Sequence, residues 1–432
     1  MIAQIIFSIA LLTAVILFSI QVKKIIRNIN LGKDTNRSDR PKERWLTMAK
    51  VALGQSKMVV RPVAGIMHIF VYLGFVIINL EVLEIIIDGV FGTHRIFSFL
   101  GSFYSFLIAS FEILALLVLV GVIVFLARRV VLGLKRFSGV EMTAWPKSDA
   151  IYILVIEVLL MSAFLTMNAA DYKLQLAGYS HYLTAGSFPV SQYLLGLLPN
   201  STESLVFIER ACWWFHILGI LAFLNYLPFS KHFHIILAFP NTWYSNLNAK
   251  GRFNNMTSVT NEVKAMLDPS FTPPAATEIG RFGAKDVQDL NWVQLMNAYT
   301  CTECGRCTSV CPANQTGKLL SPRKIMMDTR DRLEEVGKNT DKHGKGYDDG
   351  KSLLDDYITR EEIWACTTCN ACTEACPVNI DPLSIIVDLR RYAVMEESNV
   401  TGSLNAMFSN VENNGAPWKY SPADRLNWAN KD

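Results

Sequence analysis

Residues 301–312 read Cys301-Thr302-Glu303-Cys304-Gly305-Arg306-Cys307-Thr308-Ser309-Val310-Cys311-Pro312, and residues 366–377 repeat the pattern as Cys366-Thr367-Thr368-Cys369-Asn370-Ala371-Cys372-Thr373-Glu374-Ala375-Cys376-Pro377. Both runs are C-x2-C-x2-C-x3-C-P. Three thiolates at that spacing grip three iron corners of a cubane from one short loop, and the fourth, ahead of proline, reaches the neighbouring cluster. The reading is two [4Fe–4S] clusters. The first rests on Cys301, Cys304, Cys307 and Cys376, the second on Cys366, Cys369, Cys372 and Cys311. Structural zinc also uses C-x2-C pairs, but it gains nothing from a third cysteine at x2 and a fourth before proline. A disulfide framework belongs to short secreted chains, and eight of the nine cysteines here crowd into two tight groups.

Around the runs the pattern is helical. Asp286–Tyr299 leads into the first group, Ser321-Pro322-Arg323 and Thr359-Arg360-Glu361-Glu362 open two further helices, and Pro382–Met395 closes the region as an amphipathic helix. Lys338–Lys351 reads as a hydrophilic loop. The expectation is an α-helical two-cluster ferredoxin domain over 286–400. A linker at the membrane surface over 240–285 precedes it, and a tail over 401–432, suited to partner docking, follows.

The first 240 positions are different. The chain of 432 residues is 51% apolar and only 18% charged, against about 25% charged in an average soluble protein. Five apolar stretches, Ile2–Val22, Pro62–Ile87, Phe99–Ala127, Ala150–Ala169 and Phe207–Leu227, each match the ~20 helical residues needed to cross a bilayer. The fifth is expected to continue helically past Pro228 to about Phe239. Residues 1–239 thus read as a five-helix membrane domain, and the fold class is mainly α. Met1-Ile2-Ala3-Gln4 lacks a charged n-region and no cleavage site follows, so the first stretch reads as a retained helix. Lys23–Arg61 holds eleven Lys and Arg and Ala127–Asp149 holds five, whereas the two other loops hold only Arg95 and Lys173. That asymmetry places the N-terminus outside and the cysteine groups in the cytoplasm. The net charge of +3 is spread over membrane-flanking positions, which argues against nucleic acid as a partner.

Histidine brings chemistry into the membrane half. His68 lies two turns inside the second span, His216 near the middle of the fifth, and His234 18 residues later. On one continuous helix that interval is five turns, about 27 Å on one face. Imidazoles from two helices hold a b-type haem through both axial positions, and His68 with His234 is the expected pair. A second haem at His216 requires another imidazole, and Ile78 occupies the corresponding position on the second span. His232 is expected to point elsewhere. Glu81, Glu84, Glu112 and Glu157 also fall in spans. Carboxylates there need a partner, a proton or water. Glu81 and Glu112, with His181 from an outer loop, are candidates for quinone-linked proton transfer, while Glu84 is expected to snorkel.

Cys301-Thr302-Glu303-Cys304-Gly305-Arg306-Cys307, Trp364-Ala365-Cys366-Thr367-Thr368-Cys369 and Asn413-Asn414-Gly415-Ala416-Pro417-Trp418 resemble the heterodisulfide-reductase-related iron–sulfur family. Leu227-Pro228-Phe229-Ser230-Lys231-His232-Phe233-His234 resembles members that fuse a nitrate-reductase-gamma-like cytochrome b to the ferredoxin. The likeness covers nearly the whole chain. It implies haem histidines at the positions of His216 and His234 on the fifth helix, with only His68 matching on the second. It further implies menaquinone as substrate and a multi-pass location in a bacterial plasma (inner) membrane. Fuller members continue into cysteine-rich CCG modules. No cysteine follows Cys376, so a separate cytoplasmic CCG-domain iron–sulfur protein and/or electron-transfer flavoprotein is the expected partner. The implied function is a quinone-linked oxidoreductase subunit that carries electrons between that partner and the quinone pool. Electron-transfer flavoprotein is the favoured donor and substrate-side catalysis falls to another chain. Heterodisulfide or thiol chemistry, a hydroxy-acid dehydrogenase, and a non-catalytic redox-sensing anchor are the alternatives.

Overall fold

A computed structural model describes residues 1–274 and 280–429. Its membrane half begins with α1 (Ile2–Ile29), followed by a short surface helix α2 (Pro41–Met48), then α3 (Pro62–Phe91), α4 (Ser102–Val130), α5 (Trp145–Leu176) and α6 (Thr202–Tyr226), which a 3-10 turn extends to Phe229. All but α2 are long and apolar enough to cross a membrane. Proline at the first turn of α3 and α5 presets helical φ where no N–H is needed. Gly92, at φ +73°, stops α3 in the left-handed conformation that only glycine adopts cheaply. These helices are apolar all round, so Ile5, Ile9, Leu12, Phe103 and Phe106 stay exposed on the outer surface while Phe7, Ile108, Phe111, Phe164 and Ile217 pack inside. That is the pattern of a bundle solvated by lipid.

The C-terminal half runs α7 (His234–Trp243), α8 (Thr257–Leu267), α9 (Trp292–Thr300), α10 (Arg306–Val310), α11 (Pro312–Gln315), α12 (Pro322–His343), α13 (Leu353–Asp356), α14 (Arg360–Ala365), α15 (Ala371–Ala375), α16 (Pro382–Met395) and α17 (Gly402–Asn414). Among the described residues there is no strand beyond two isolated bridges. The helix starts expected from sequence are built by side-chain caps: Ser321 Oγ accepts from Lys324 N, and Thr359 with Glu362 forms a reciprocal capping box. Leu290, Leu295, Ile325, Leu333, Ile363, Ile385 and Leu389 form the core, which continues without a break into Ile25 and Ile29 of α1, Leu227, and Phe233 and Leu237 around α7. The two halves therefore share one apolar core at the membrane boundary.

Three expectations are corrected. The fifth span does not run helically to Phe239. Pro228 ends the helical ladder, Ser230 is extended at φ −120°, ψ 159°, and a new helix starts at His234. The hydrophilic stretch at Lys338 is not loop from its start, because α12 continues to His343 before Gly344 ends it. The expected linker over 240–285 contains the end of α7 and all of α8, and residues 275–279 of it lie outside the described residues.

One close approach anchors the second span. A Cβ on Gly65 would lie 2.7 Å from the Met58 carbonyl oxygen and 2.9 Å from Val59 Cα, both backbone atoms that cannot swing away. Gly65→Ala is expected to destabilise the chain by about 1–3 kcal/mol through overpacking. Thermal unfolding in detergent would check this, and an unchanged midpoint would contradict it.

Candidate functional site

The two cysteine loops adopt one conformation twice. In each, the residue two after the first cysteine and the residue after the second cysteine are left-handed: Glu303 at φ +53° and Gly305 at +69° in the first, Thr368 at +57° and Asn370 at +60° in the second. These turns curl the backbone tightly enough to gather three cysteines within one short loop. A short helix follows in each, α10 or α15, and then the fourth cysteine at φ near −70°. The helices α10 and α15 pack on each other, which brings each fourth cysteine to the opposite loop. Burial raises the Cys376 thiol to about 11, and Cys304 is the next charge to raise it. Cys366 is raised by burial and, in part, by Cys311 and Cys369. Cys307 is raised well above its usual value by burial and then by Cys304, Cys301 and Cys376. Cys372 of the second loop also lies near enough to raise Cys307, so the two loops stand close together, with Cys376 nearest Cys304 and Cys311 near Cys366. Thiols this buried need positive charge to ionise, and iron supplies it. Backbone N–H groups of Thr368 and Ile380 point at Cys366 and Cys376 sulfur at 3.4 and 3.3 Å, the contacts that tune such clusters. Among the described residues no three His, Cys, Asp or Glu side chains are placed to hold a single metal ion, whereas a cubane takes each thiolate on its own iron.

The loops differ in exposure. Cys369 is exposed, while Cys301, Cys311, Cys372 and Cys376 are buried. The first loop faces the bundle and is clamped by both Lys- and Arg-rich segments and by the turn after the fifth span. Arg306 donates to the Lys57 and Met58 carbonyls at 2.8 and 3.3 Å, and Arg61 donates to Ser309 Oγ at 2.7 Å. Arg323, 1% exposed, bonds Glu141 and the Arg136 carbonyl of the α4–α5 segment. Lys231, just after the break in the fifth span, is buried between Glu303, the Pro146 carbonyl and Asp149. Glu303 also pairs with Arg330 at 2.9 Å. Burial alone would push the Glu303 carboxyl up, but Lys231 and Arg330 outweigh it and hold it below the usual range. The basic segments and the cysteine loops thus lie on the same side of the bundle.

The histidines gather at that end. His234 begins α7, and its Nδ1 lies 2.9 Å from the Lys231 carbonyl, an atom that only accepts, so Nδ1 carries the proton and Nε2 the lone pair. Burial first, then the neighbouring His232 and His68 imidazoles, hold His234 down at about 3, so the ring is neutral at ordinary pH. His68 Nδ1 and His232 Nδ1 are buried with no partner among the described residues. His232 does not point elsewhere: its ring stands 5.5 Å from that of His234, because the break at Ser230 resets the helical phase. The chemistry of this donor set, half-buried imidazoles from α3 and from the start of α7 with a free ring nitrogen, fits axial ligation of a haem iron. His216 is buried in the middle of the bundle, its Nδ1 3.0 Å from the Leu160 carbonyl and its ring 5.6 Å from Phe164. Ile78 is packed in the apolar core around it, and no imidazole faces it.

At the far end of the bundle Arg95 is buried and holds Asp171, Tyr104 and Asn168 at 2.6, 3.1 and 3.0 Å. Glu84 is buried and not snorkelling. It accepts from Phe97 N and Tyr104 Oη, a better exchange than reaching for the surface. Glu112 accepts from the Val190 and Ser191 N–H groups, tying the outer turn to α4. Glu81 is buried with Oε2 unpartnered among the described residues, and His181 is exposed with its ring 5.4 Å from His94.

Residues 300–380 match the 4Fe-4S dicluster domain model. The chain is 29% identical to a Bacillus subtilis protein described as a probable iron-sulfur-binding oxidoreductase, FadF, over 96% of this chain and 59% of that one. It is 26% identical to the EtfAB:quinone oxidoreductase of Syntrophomonas wolfei, over 91% of this chain and 55% of the relative. A shorter match, 35% identical over 23% of this chain and 49% of the relative, is to one component of a ferredoxin/F420H2-dependent CoB–CoM heterodisulfide reductase of Methanosarcina acetivorans. The chain spans under three-fifths of the length of the first two. No solved structure matches. This helical chain, with five membrane-length helices and a dicluster domain over residues 300–380, fits the family of membrane iron–sulfur oxidoreductases related to heterodisulfide reductase.

Proposed function

We propose that this chain carries electrons between a cytoplasmic redox partner and quinone in the bilayer, through two [4Fe–4S] clusters and one b-type haem. The observation that carries the reading is the clamp of the first cysteine loop onto the histidine-bearing end of the bundle by the buried Lys231–Glu303 pair. A cluster held by Cys301, Cys304, Cys307 and Cys376 then faces the haem position. The second, beside exposed Cys369, faces a soluble partner. His68 and His234 hold the haem, which when bound supplies reversible one-electron transfer. His216 stays a packing residue. Domain limits follow the same division, with residues 1–239 in the membrane, 286–400 around the clusters and 401–432 toward the partner. The name of the Syntrophomonas relative supports electron-transfer flavoprotein as that partner and a quinone as acceptor; menaquinone is the quinone that the family resemblance implies. The Lys and Arg distribution supports the cluster domain on the cytoplasmic face of a bacterial plasma membrane.

Reduced-minus-oxidised spectra of the purified chain test the assignment. His68→Ala and His234→Ala are each expected to abolish the haem b bands, and His216→Ala to leave them. Loss on His216→Ala with retention on His68→Ala would reverse it. A chain with no haem bands, or with pre-reduced clusters that added quinone fails to oxidise, would remove the function itself.

A further inference from the structure

Given a quinone acceptor, two clefts bear on where its head group sits. One lies at the outer end of the bundle, lined by Glu81, His94 and Trp213. Glu81 stands 13 residues beyond His68, about 20 Å along α3, and no further redox ligand pair bridges that gap. The other lies at the cytoplasmic boundary, lined by Trp145, Phe229, Phe233, Tyr299, Glu303 and Lys231. Glu303 sits in the loop between Cys301 and Cys304 and Phe233 precedes His234 in sequence, so the cleft wall is built on the same backbone segments that carry both redox positions.

Tyr299 supplies an independent observation. Its side chain is 5% exposed, and its hydroxyl oxygen accepts from Asn28 Nδ2 at 2.9 Å, but the hydroxyl proton has no acceptor among the described residues. A buried O–H left without an acceptor costs free energy, and a carbonyl oxygen in the cleft would take it. The lining residues reach the surface on an apolar side and on a charged side. Trp145 and Phe229 are 50% and 58% exposed on the lipid side, where an isoprenoid tail would leave. Asp331 and Glu334, with side chains 56% and 38% exposed, line the water side.

We infer that the quinone head group binds in this cytoplasmic-boundary cleft, with the Tyr299 hydroxyl donating to one of its carbonyl oxygens. Reduction of the quinone takes two electrons, which the clusters and haem held by the cysteine loops and by His68 and His234 would supply when bound. Two protons enter from cytoplasmic water by way of Asp331 and Glu334. Both carbonyl oxygens become hydroxyls, and no other bond breaks. Electrons and protons then come from the same side of the membrane.

The test is photolabelling of the full purified chain in lipid nanodiscs with a short-chain azidoquinone, followed by peptide mapping. Label on peptides carrying Phe229, Phe233 or Tyr299 is expected, and Tyr299→Phe should weaken azidoquinone binding about two- to tenfold, the range for one lost hydrogen bond. The cluster and haem spectra should not change. Phe229→Ala, on an exposed side chain, should reduce labelling by itself, so the result does not depend on one variant folding. Label at Glu81, His94 or Trp213, no label at either cleft, or unaltered affinity in Tyr299→Phe overturns the site. Oxidation of pre-reduced clusters by unmodified quinone is measured on the same material. Its absence would refute electron delivery to quinone as a separate result.

Discussion

Serine in place of Cys376 is expected to remove the cluster built on the first cysteine loop, not the one built on the loop to which Cys376 belongs in sequence. Cys311→Ser should remove the cluster of the second loop. The expectation follows from the packing of α10 against α15, which sets Cys376 beside Cys304 and Cys307 and Cys311 beside Cys366. Each variant should fall from about eight irons per chain to about four, because two cubanes of four are present and one is lost. Low-temperature EPR after dithionite gives the decisive comparison. Cys376→Ser should leave the same residual signal as Cys304→Ser, and Cys311→Ser the same as Cys369→Ser. The opposite pairing, in which Cys376→Ser matches Cys369→Ser, would sink crossed ligation and the relative placement of the clusters with it.

The second large effect concerns the join between the halves. Glu303, with a 3% exposed side chain, neutralises both Lys231 and Arg330. Glu303→Gln removes the nearer carboxylate from both, leaving Lys231 with Asp149 at 3.7 Å and Arg330 with the more exposed Asp331 at 3.4 Å. Breaking a buried pair from one side costs about 3–5 kcal/mol, far more than an exposed pair, because the remaining charge loses its compensation without regaining water. Lys231→Met should cost less, since Glu303 keeps Arg330 and the methionine stem fills the lysine's volume. The thermal midpoint should fall in the order wild type, Lys231→Met, Glu303→Gln. In stopped-flow reduction, electron arrival at the haem should slow in Glu303→Gln while reduction of the surface-facing cluster does not. Equal rates in wild type and Glu303→Gln would show that the clamp has no part in the electron path.

Much of this architecture was legible without coordinates because it depends on local chemistry. Cysteine spacing names the cluster type, since the loop must curl within a few residues to place three thiols. A span of about 20 apolar residues has few fates other than crossing lipid. The helix from Pro382 to Met395 has the limits its sequence predicts, because Asp381 caps it and its apolar period is regular. The histidines were harder. The interval from His216 to His234 suggests one face of one helix, and that arithmetic assumes an unbroken ladder. Pro228 removes a donor, Ser230 goes extended, and every residue beyond changes phase, which is why His232 joins His234 instead of turning away. The in-membrane glutamates were equally opaque, for burial and partners decide their roles. Glu84 is spoken for by the backbone N–H of Phe97, 13 residues on, and Glu112 by that of Val190, 78 residues on.

The sequence by itself determined that two clusters form and that five helices span, because both follow from contacts within a loop or between one helix and its solvent. Only the tertiary structure decided which loop faces the membrane. That rests on Lys57, Arg323 and Lys231 meeting partners 72 to 249 residues away, pairings that no local pattern encodes. Their strength comes from burial, which exists only once the two halves have closed on each other.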